Sequence, residues 1–239
     1  MTIAIMLSDR WIDLPRICWR QWRAERALRL RGIDFRSTDP RRVQDAYSRM
    51  SPEEFGAINS RHAWANARTM RGSLAGLLPE GPIDAIDLGS GNGASTRILA
   101  RLLPAGSRIL GLEFAGSLVE IARRQSYLSA EGQPQNVAFH VASITERFVD
   151  ADGNAIADGS VHLVNASGIL GHHLGEADID RTLDEVARVL APEGIAALDV
   201  GPKLSTERLT ALMHDRRLAY LRRSRSHPLD QTGQVVFRK

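Results

Sequence analysis

The chain has 239 residues, 43% of them hydrophobic and 25% charged, with a formal net charge of +3. That length suits one sizeable α/β domain with an appendage and is too short for two full domains. A single cysteine, Cys18, excludes an intrachain disulfide and most cysteine-based metal sites; no apolar run approaches the roughly 20 residues of a membrane span, and the run from Thr2 to Leu7 is too short for a signal-peptide core, so a cytoplasmic setting is expected.

The charge is unevenly spread. Residues 1–50 hold 11 Arg against 6 acids and residues 201–239 hold 9 Lys or Arg against 3, whereas residues 51–200 hold 11 basic and 19 acidic residues. Basic flanks of this kind attract acidic partners such as nucleic acid or anionic lipid. Because 29 of the basic residues are Arg and 2 are Lys, compositional bias explains them better than a binding face, and a nucleic-acid partner is not expected.

Ser8 to Arg31 has the spacing of an amphipathic helix, with Trp11, Leu14, Ile17, Cys18, Trp22 and Leu28 as its apolar members. Pro15 either interrupts it or marks its first turn. Thr38-Asp39-Pro40 caps a second helix through Val43, Ala46, Tyr47 and Met50, and Ser51-Pro52-Glu53-Glu54 opens a third helical stretch toward Leu78. All four tryptophans (Trp11, Trp19, Trp22, Trp64) fall in these first 64 residues; core or interface packing, including a homodimer through the N-terminal helices, is favoured over a role in enclosing a cation. Pro79-Glu80-Gly81-Pro82 breaks the chain and separates an N-terminal helical cap or lid (1–80) from the main domain (81–239).

After this break come Ile83-Asp-Ala-Ile-Asp-Leu88 and the glycines Gly89, Gly91 and Gly93 at alternate positions, then Ala94 to Ala100 with helical spacing. Strand, tight turn, helix is the order that lets backbone approach a nucleoside cofactor. Twenty residues beyond Gly93, Glu113 closes a second strand; an acid there can accept hydrogen bonds from both ribose hydroxyls. Further strands are expected near 136–141, 160–166 and 194–200, and helices near 94–103, 116–130, 176–190 and 205–215. That alternation implies a parallel sheet covered on both faces. Leu218 to Arg223 and Gln234 to Arg238 have no helix between them and should pair antiparallel.

With Asp87-Leu-Gly-Ser-Gly-Asn-Gly93, Glu113 and Asp184-Glu-Val-Ala-Arg-Val-Leu-Ala-Pro-Glu-Gly194 in place, residues 82–239 resemble a class I S-adenosylmethionine-dependent methyltransferase. The resemblance implies an α/β, Rossmann-like, doubly wound seven-stranded sheet with its last strand antiparallel, preceded here by a helical extension. It implies S-adenosylmethionine as cofactor, lying over the carboxyl ends of the first strands. The implied cofactor contacts are Asp87, Gly89, Ser90, Gly91 and Gly93 at the turn, then Glu113 and Phe114. Beyond them come Ala142, Ser143 and Ile144 after the third strand, and Asn165 and Ser167 after the fourth. In similar enzymes the N-terminal region forms a lid, which places Tyr47 and Arg71 as residues folding over the cofactor. Where the family often has an acid for the adenine amine, this chain has Ser143, which binds without charge. Asp87 also has a structural alternative, capping the turn's N–H groups.

His172 and His173 follow the fourth strand. Two adjacent histidines cannot both face one spot, so at most one points inward, and His173 is preferred. A neutral imidazole can take a proton from a hydroxyl or amine nucleophile; the alternative is that the pair packs around the next helix. No acid or third histidine falls at metal spacing. Methyl transfer from a sulfonium needs alignment and exclusion of water above all, so His173, His172 and Tyr47 are the catalytic candidates and no triad is demanded. Asn165-Ala-Ser-Gly168 lacks the prolines and aromatic of nucleic-acid amino-methylation, and Cys18 is badly placed for pyrimidine carbon-5 chemistry. A small-molecule acceptor with O- or N-methylation is the expectation. The rivals are an NAD(P)-dependent oxidoreductase, since the turn also satisfies G-x-G-x-x-G/A, and a non-catalytic nucleoside-binding module.

Overall fold

Short apolar runs bounded by Gly, Asp or Glu become strands in this chain, and the amphipathic stretches between them become covering helices. The computed structural model describes residues 11–35, 40–225 and 233–239. Seven strands, β1 (Asp84–Leu88), β2 (Arg108–Glu113), β3 (Asn136–Val141), β4 (Val161–Ala166), β5 (Leu190–Val200), β6 (Ala219–Ser224) and β7 (Gly233–Arg238), form one sheet in the order β3-β2-β1-β4-β5-β7-β6. The first five pair in parallel, and β7 runs antiparallel to both β5 and β6. Chain progression reverses between β1 and β4, so a crevice opens at their carboxyl ends, the place where doubly wound sheets take ligands.

The period-2 alternation of each strand sends neighbouring residues to opposite cores. Ile86, Val164, Val235 and Phe237 join α8 (Glu176–Val189) and α9 (Thr206–Asp215) on one face, through Leu183, Val186 and Leu209. Ala85, Leu163 and Val236 face α5 (Ala94–Leu102), α6 (Gly116–Arg123) and α4 (Ser60–Leu74) on the other, through Leu99, Val119 and Met70. Helix α4 precedes the expected boundary at residue 80, yet Ala67, Met70 and Leu74 are part of this sheet-covering core.

The N-terminal helices α1 (Leu14–Leu30), α2 (Pro40–Ser48) and α3 (Pro52–Ile58) add a small core of their own, built on Leu28, Ile33, Phe35, Ala46 and Ile58. Pro15 lies in the first turn of α1, after a 3₁₀ turn at Trp11–Asp13. Ser51 accepts from the Glu54 N–H while the Glu54 carboxylate accepts from the Ser51 N–H, a complete capping box for α3. The Thr2–Leu7 run, Ser8–Arg10, the Thr38-Asp39 cap and the loop 226–232 lie outside the described residues.

Four expectations need correction. The single helical stretch toward Leu78 is two helices, α3 and α4, divided at Asn59, whose amide donates to Phe55 O at 3.0 Å. The helix expected over 116–130 stops at Arg123, because Tyr127 folds back to donate to Ala122 O at 2.9 Å and Leu128 bridges to Pro134. Strand β5 begins at Leu190 rather than 194, since Leu190 pairs with Val161 across a bulge and Glu193 takes a left-handed φ of 63°. The core half of the tryptophan expectation holds for Trp64 alone, which is buried and meets Trp11 edge-on at 5.1 Å, whereas Trp11, Trp19 and Trp22 are exposed.

Two left-handed glycines separate backbone strain from collision. At Gly132 (φ +80°) an added Cβ meets nothing within 4 Å, whereas at Gly93 (φ +83°) it collides with the Tyr127 hydroxyl. In urea unfolding, Gly132→Ala should lose about 1 kcal/mol and Gly93→Ala about 2 kcal/mol more; equal losses would mean that Tyr127 yields freely.

Candidate active site

Asp87 ends in the sheet interior, fully buried. Its Oδ2 accepts from Ser95 Oγ at 2.7 Å and Thr96 Oγ1 at 2.6 Å, and its Oδ1 from Asn165 Nδ2 at 2.7 Å. Gln234 Nε2 donates onward to Asn165 Oδ1 at 2.8 Å and to Ala166 O at 3.0 Å. Burial pushes the Asp87 carboxyl up from its ordinary pKa, and the hydrogen bonds from Thr96, Ser95 and Asn165 oppose it. This network ties β1, β4 and β7 to the start of α5, directly behind the glycine turn.

Gly89 and Gly91 (φ +62° and +54°) adopt the left-handed conformation as Gly93 does. A Cβ on Gly89 would collide with Ile169. A Cβ on Gly91 would enter the cavity and touch Phe55 Cζ at 3.5 Å. The Ser90 hydroxyl turns toward β2, where a Cβ on Gly111 would lie 2.8 Å from it. Glu113, at the end of β2, is buried; its Oε2 accepts from Gly91 N at 3.0 Å and its Oε1 from Ala115 N at 2.8 Å. Burial raises its pKa to about 7 against the pull of the Ala115, Gly91 and Phe114 N–H groups, and Asp87 adds to the rise. Above it, burial and then the Glu113 charge raise Tyr47 to about 12. The Tyr47 phenol therefore stays protonated near neutral pH and suits donation rather than proton abstraction.

These groups line a cavity of 510 Å³. Its floor is the turn Gly89–Asn92, one end is Glu113, Phe114 and Ala142–Thr145, and the other is Ser167–Ile169, His173, Leu174 and Asp178. Its roof is Tyr47, Phe55, Asn59, His62, Ala63 and Asn66 from α2, α3 and α4. Of the residues singled out in the sequence, Tyr47, Gly89, Ser90, Gly91, Glu113, Phe114, Ala142, Ser143, Ile144, Ser167 and His173 line it. Asp87, Gly93 and Asn165 stand behind the wall. Arg71 lies exposed in the last turn of α4, away from the lining.

The histidine pair splits. His173, in the short helix α7 (Leu170–His173), faces the cavity, while His172 turns to Gly201, with Nε2 2.7 Å from where a Cβ would stand. Asp199, which the sequence gave no reason to notice, sets this: Oδ1 accepts from the Ile169 and Leu170 N–H groups, each at 3.1 Å, and Oδ2 from Gly171 N–H at 3.0 Å. Burial, with His172 next, holds the His173 pKa below its usual value, so its imidazole is neutral near pH 7. His62 was also missed. Its Nε2 lies 3.1 Å from Ser167 O, and a Cβ on Gly168 (φ +82°) would collide with its ring. Ser143 Oγ shares a hydrogen bond with Thr145 Oγ1 at 2.8 Å. Among the described residues no group of three His, Cys, Asp or Glu side chains is arranged for a metal.

A family model described as a methyltransferase domain matches residues 85–194. The chain carries a class I S-adenosylmethionine-dependent methyltransferase domain. By that match it is an S-adenosylmethionine-dependent methyltransferase, so the oxidoreductase reading gives way. Solved structures show the same fold at low identity. The methyltransferase of Haloferax volcanii, solved in complex with the Trm112 methyltransferase activator, is 19% identical (TM-score 0.59, covering 78% of this chain and 94% of that one). A TehB-like S-adenosylmethionine-dependent methyltransferase from Corynebacterium glutamicum is 16% identical (TM-score 0.55, 82% and 98%). The CurJ carbon methyltransferase is 14% identical (TM-score 0.54, 84% and 58%). A search of curated protein sequences gives no match. The cavity fits the cofactor on its own terms: a buried acceptor carboxylate at Glu113, and at Gly91 a stretch of floor that a side chain would fill.

Glu113 makes a pH prediction for the ligand-free protein. Its folded pKa of about 7 exceeds the ordinary 4.5, so between those values the folded state holds a proton that the unfolded chain has released. Its contribution to stability must then fall as pH rises from about 4.5 to about 7. Urea midpoints of wild type minus Glu113→Gln should decline across that window; a flat difference would contradict the shift.

Proposed function

We propose that this methyltransferase acts on an oxygen or nitrogen of a small-molecule acceptor, with helices α2 to α4 as roof over a cofactor-binding domain at residues 81–239. The observation that carries the reading is the roofed cavity. Helices α2 to α4 cover the crevice and leave 510 Å³ between the glycine turn and a polar end formed by His62, Asn66, His173 and Asp178. A small acceptor fits such a space without displacing that roof.

S-adenosylmethionine, when bound, supplies an electrophilic methyl group on a sulfonium with a good leaving group built in. Glu113 would accept from the ribose hydroxyls, and the Gly89–Gly91 backbone would give close approach at the turn. Phe114, Ala142 and Ile144 would flank the adenine, and the Ser143 hydroxyl, shared with Thr145, would meet its polar edge. Asp87 and Asn165 act from behind by fixing the turn. The neutral imidazole of His173 receives the proton of an O–H or N–H acceptor, and Tyr47 and Phe55 keep solvent from the Glu113 end. The carbonyl of Ser167 orients His62 toward the same space. With no helix long and apolar enough to cross a membrane among the described residues, a cytoplasmic site of action remains the working expectation.

In calorimetry with S-adenosylhomocysteine, Glu113→Ala should weaken binding by about 1–3 kcal/mol through lost hydrogen bonds to a charged group. Wild-type affinity should rise as pH passes about 7, because the ribose hydroxyls favour the ionised carboxylate; unchanged affinity in the variant would remove the ribose role. His173→Ala should lower turnover about 10²-fold or more with cofactor affinity nearly unchanged. With labelled cofactor and host extract, label should pass to the low-molecular-weight fraction; label retained on protein or nucleic acid would overturn the acceptor class.

A further inference from the structure

Helix α1 is buried on one side only. Leu14, Ile17, Gln21, Ala24, Glu25 and Leu28 recur every three or four residues and face α3 and α4, while the opposite side carries Trp19, Trp22 and Leu30 among Arg16, Arg20, Arg23 and Arg26. Of the eight exposed large apolar side chains among the described residues, five (Trp11, Ile12, Trp19, Trp22 and Leu30) lie between residues 11 and 30. Glu25 is the one acid of α1; it is turned inward and accepts from Gln21 and Arg29. The outward side therefore has no negative charge of its own. Arg23 stacks over Trp19 at 4.7 Å and Arg26 over Trp22 at 5.7 Å, and among the described residues neither forms an ion pair.

We propose that this face docks on an anionic lipid surface. Indole rings between guanidinium groups suit the headgroup level of a bilayer, where the ring is half immersed and each cation meets a phosphate. The aliphatic side chains at the two ends, Ile12 at 82% and Leu30 at 81% exposure, favour hydrocarbon and offer no stacking surface to a nucleic-acid base. A second copy of the chain is a poor occupant: a two-fold contact would set an arginine face without an acid against the same arginine face. The sequence running into this segment, Ile3-Ala-Ile-Met-Leu7, is apolar as well. Docking would turn the outer surface of the cavity roof toward the lipid, because α1 packs on α3 and α4. The proposal stands whether or not the acceptor is a small molecule, so each can fail without the other.

Vesicle sedimentation and tryptophan emission test it, with vesicles of phosphatidylcholine alone and of an equal mixture with phosphatidylglycerol. The full chain should bind the mixed vesicles about tenfold more tightly than the neutral ones, with a blue shift in emission and release on adding salt. Arg23→Glu with Arg26→Glu should reduce binding to the neutral-vesicle level, and Trp19→Ser with Trp22→Ser should remove the blue shift, both without change in S-adenosylhomocysteine affinity. Equal binding to both vesicles, salt-insensitive binding, or wild-type behaviour of either variant would overturn the proposal. So would preference for a single-stranded oligonucleotide, or a dimer in light scattering that Trp19→Ser with Trp22→Ser abolishes.

Discussion

Burying a carboxylate is unfavourable unless every lone pair finds a donor, and the site is organised around one such carboxylate. Asp87 finds its donors in Ser95 and Thr96 at the start of α5 and in Asn165 of β4. Those bonds fix where β1 ends, where α5 starts and how β4 is aligned with both. The glycine turn between β1 and α5 has little freedom left. Three left-handed glycines in five residues would be a loose segment in isolation; suspended between Asp87 and the N-terminus of α5, they form a floor.

The roof follows a different logic. Helices α1 and α3 lean on α4, which belongs to both layers through Trp64 on one side and Met70 on the other, and Tyr47 of α2 and Phe55 of α3 pack on Ala115 and Leu118. Placing Tyr47 and Phe55 over the turn removes water from Glu113. Burial therefore dominates both ionisable groups, moving the carboxylate to about 7 and the phenol to about 12. An arriving ligand that brings hydroxyl donors restores part of what the carboxylate lost on leaving water. The same roof sets the reach of His62, which presses against Gly168 and thereby joins α4 to the loop after β4.

What could be read from the sequence was what is local. The glycine turn, the acid at Glu113, the alternation of strands and helices and the terminal antiparallel pair are all written in spacing and short-range pattern. What was hidden depends on contacts across the chain. Nothing near Gly93 announces that Tyr127 will fill the space beside it, and the same tyrosine cuts α6 short. His62 has the surroundings of any histidine on an amphipathic helix until Ser167 and Gly168 meet it. Asp199 sits in an apolar strand and gains its meaning from three N–H groups about thirty residues earlier. The tryptophans misled for a related reason: helical spacing distinguishes two sides of a helix, but large apolar residues stand on both sides of α1.

The placement of β7 has a consequence for how the molecule comes to be. It is the last of the described strands to leave the ribosome, yet it sits inside the sheet, between β5 and β6. Until Gly233–Arg238 emerges, β6 has no neighbour, and the chain from Asn165 to Asp87 lacks its anchor at Gln234. A nascent chain halted before that strand would expose an open edge on β5 and a half-finished crevice, and loss of Gly233–Arg238 would be felt at the cofactor turn on the far side of β4.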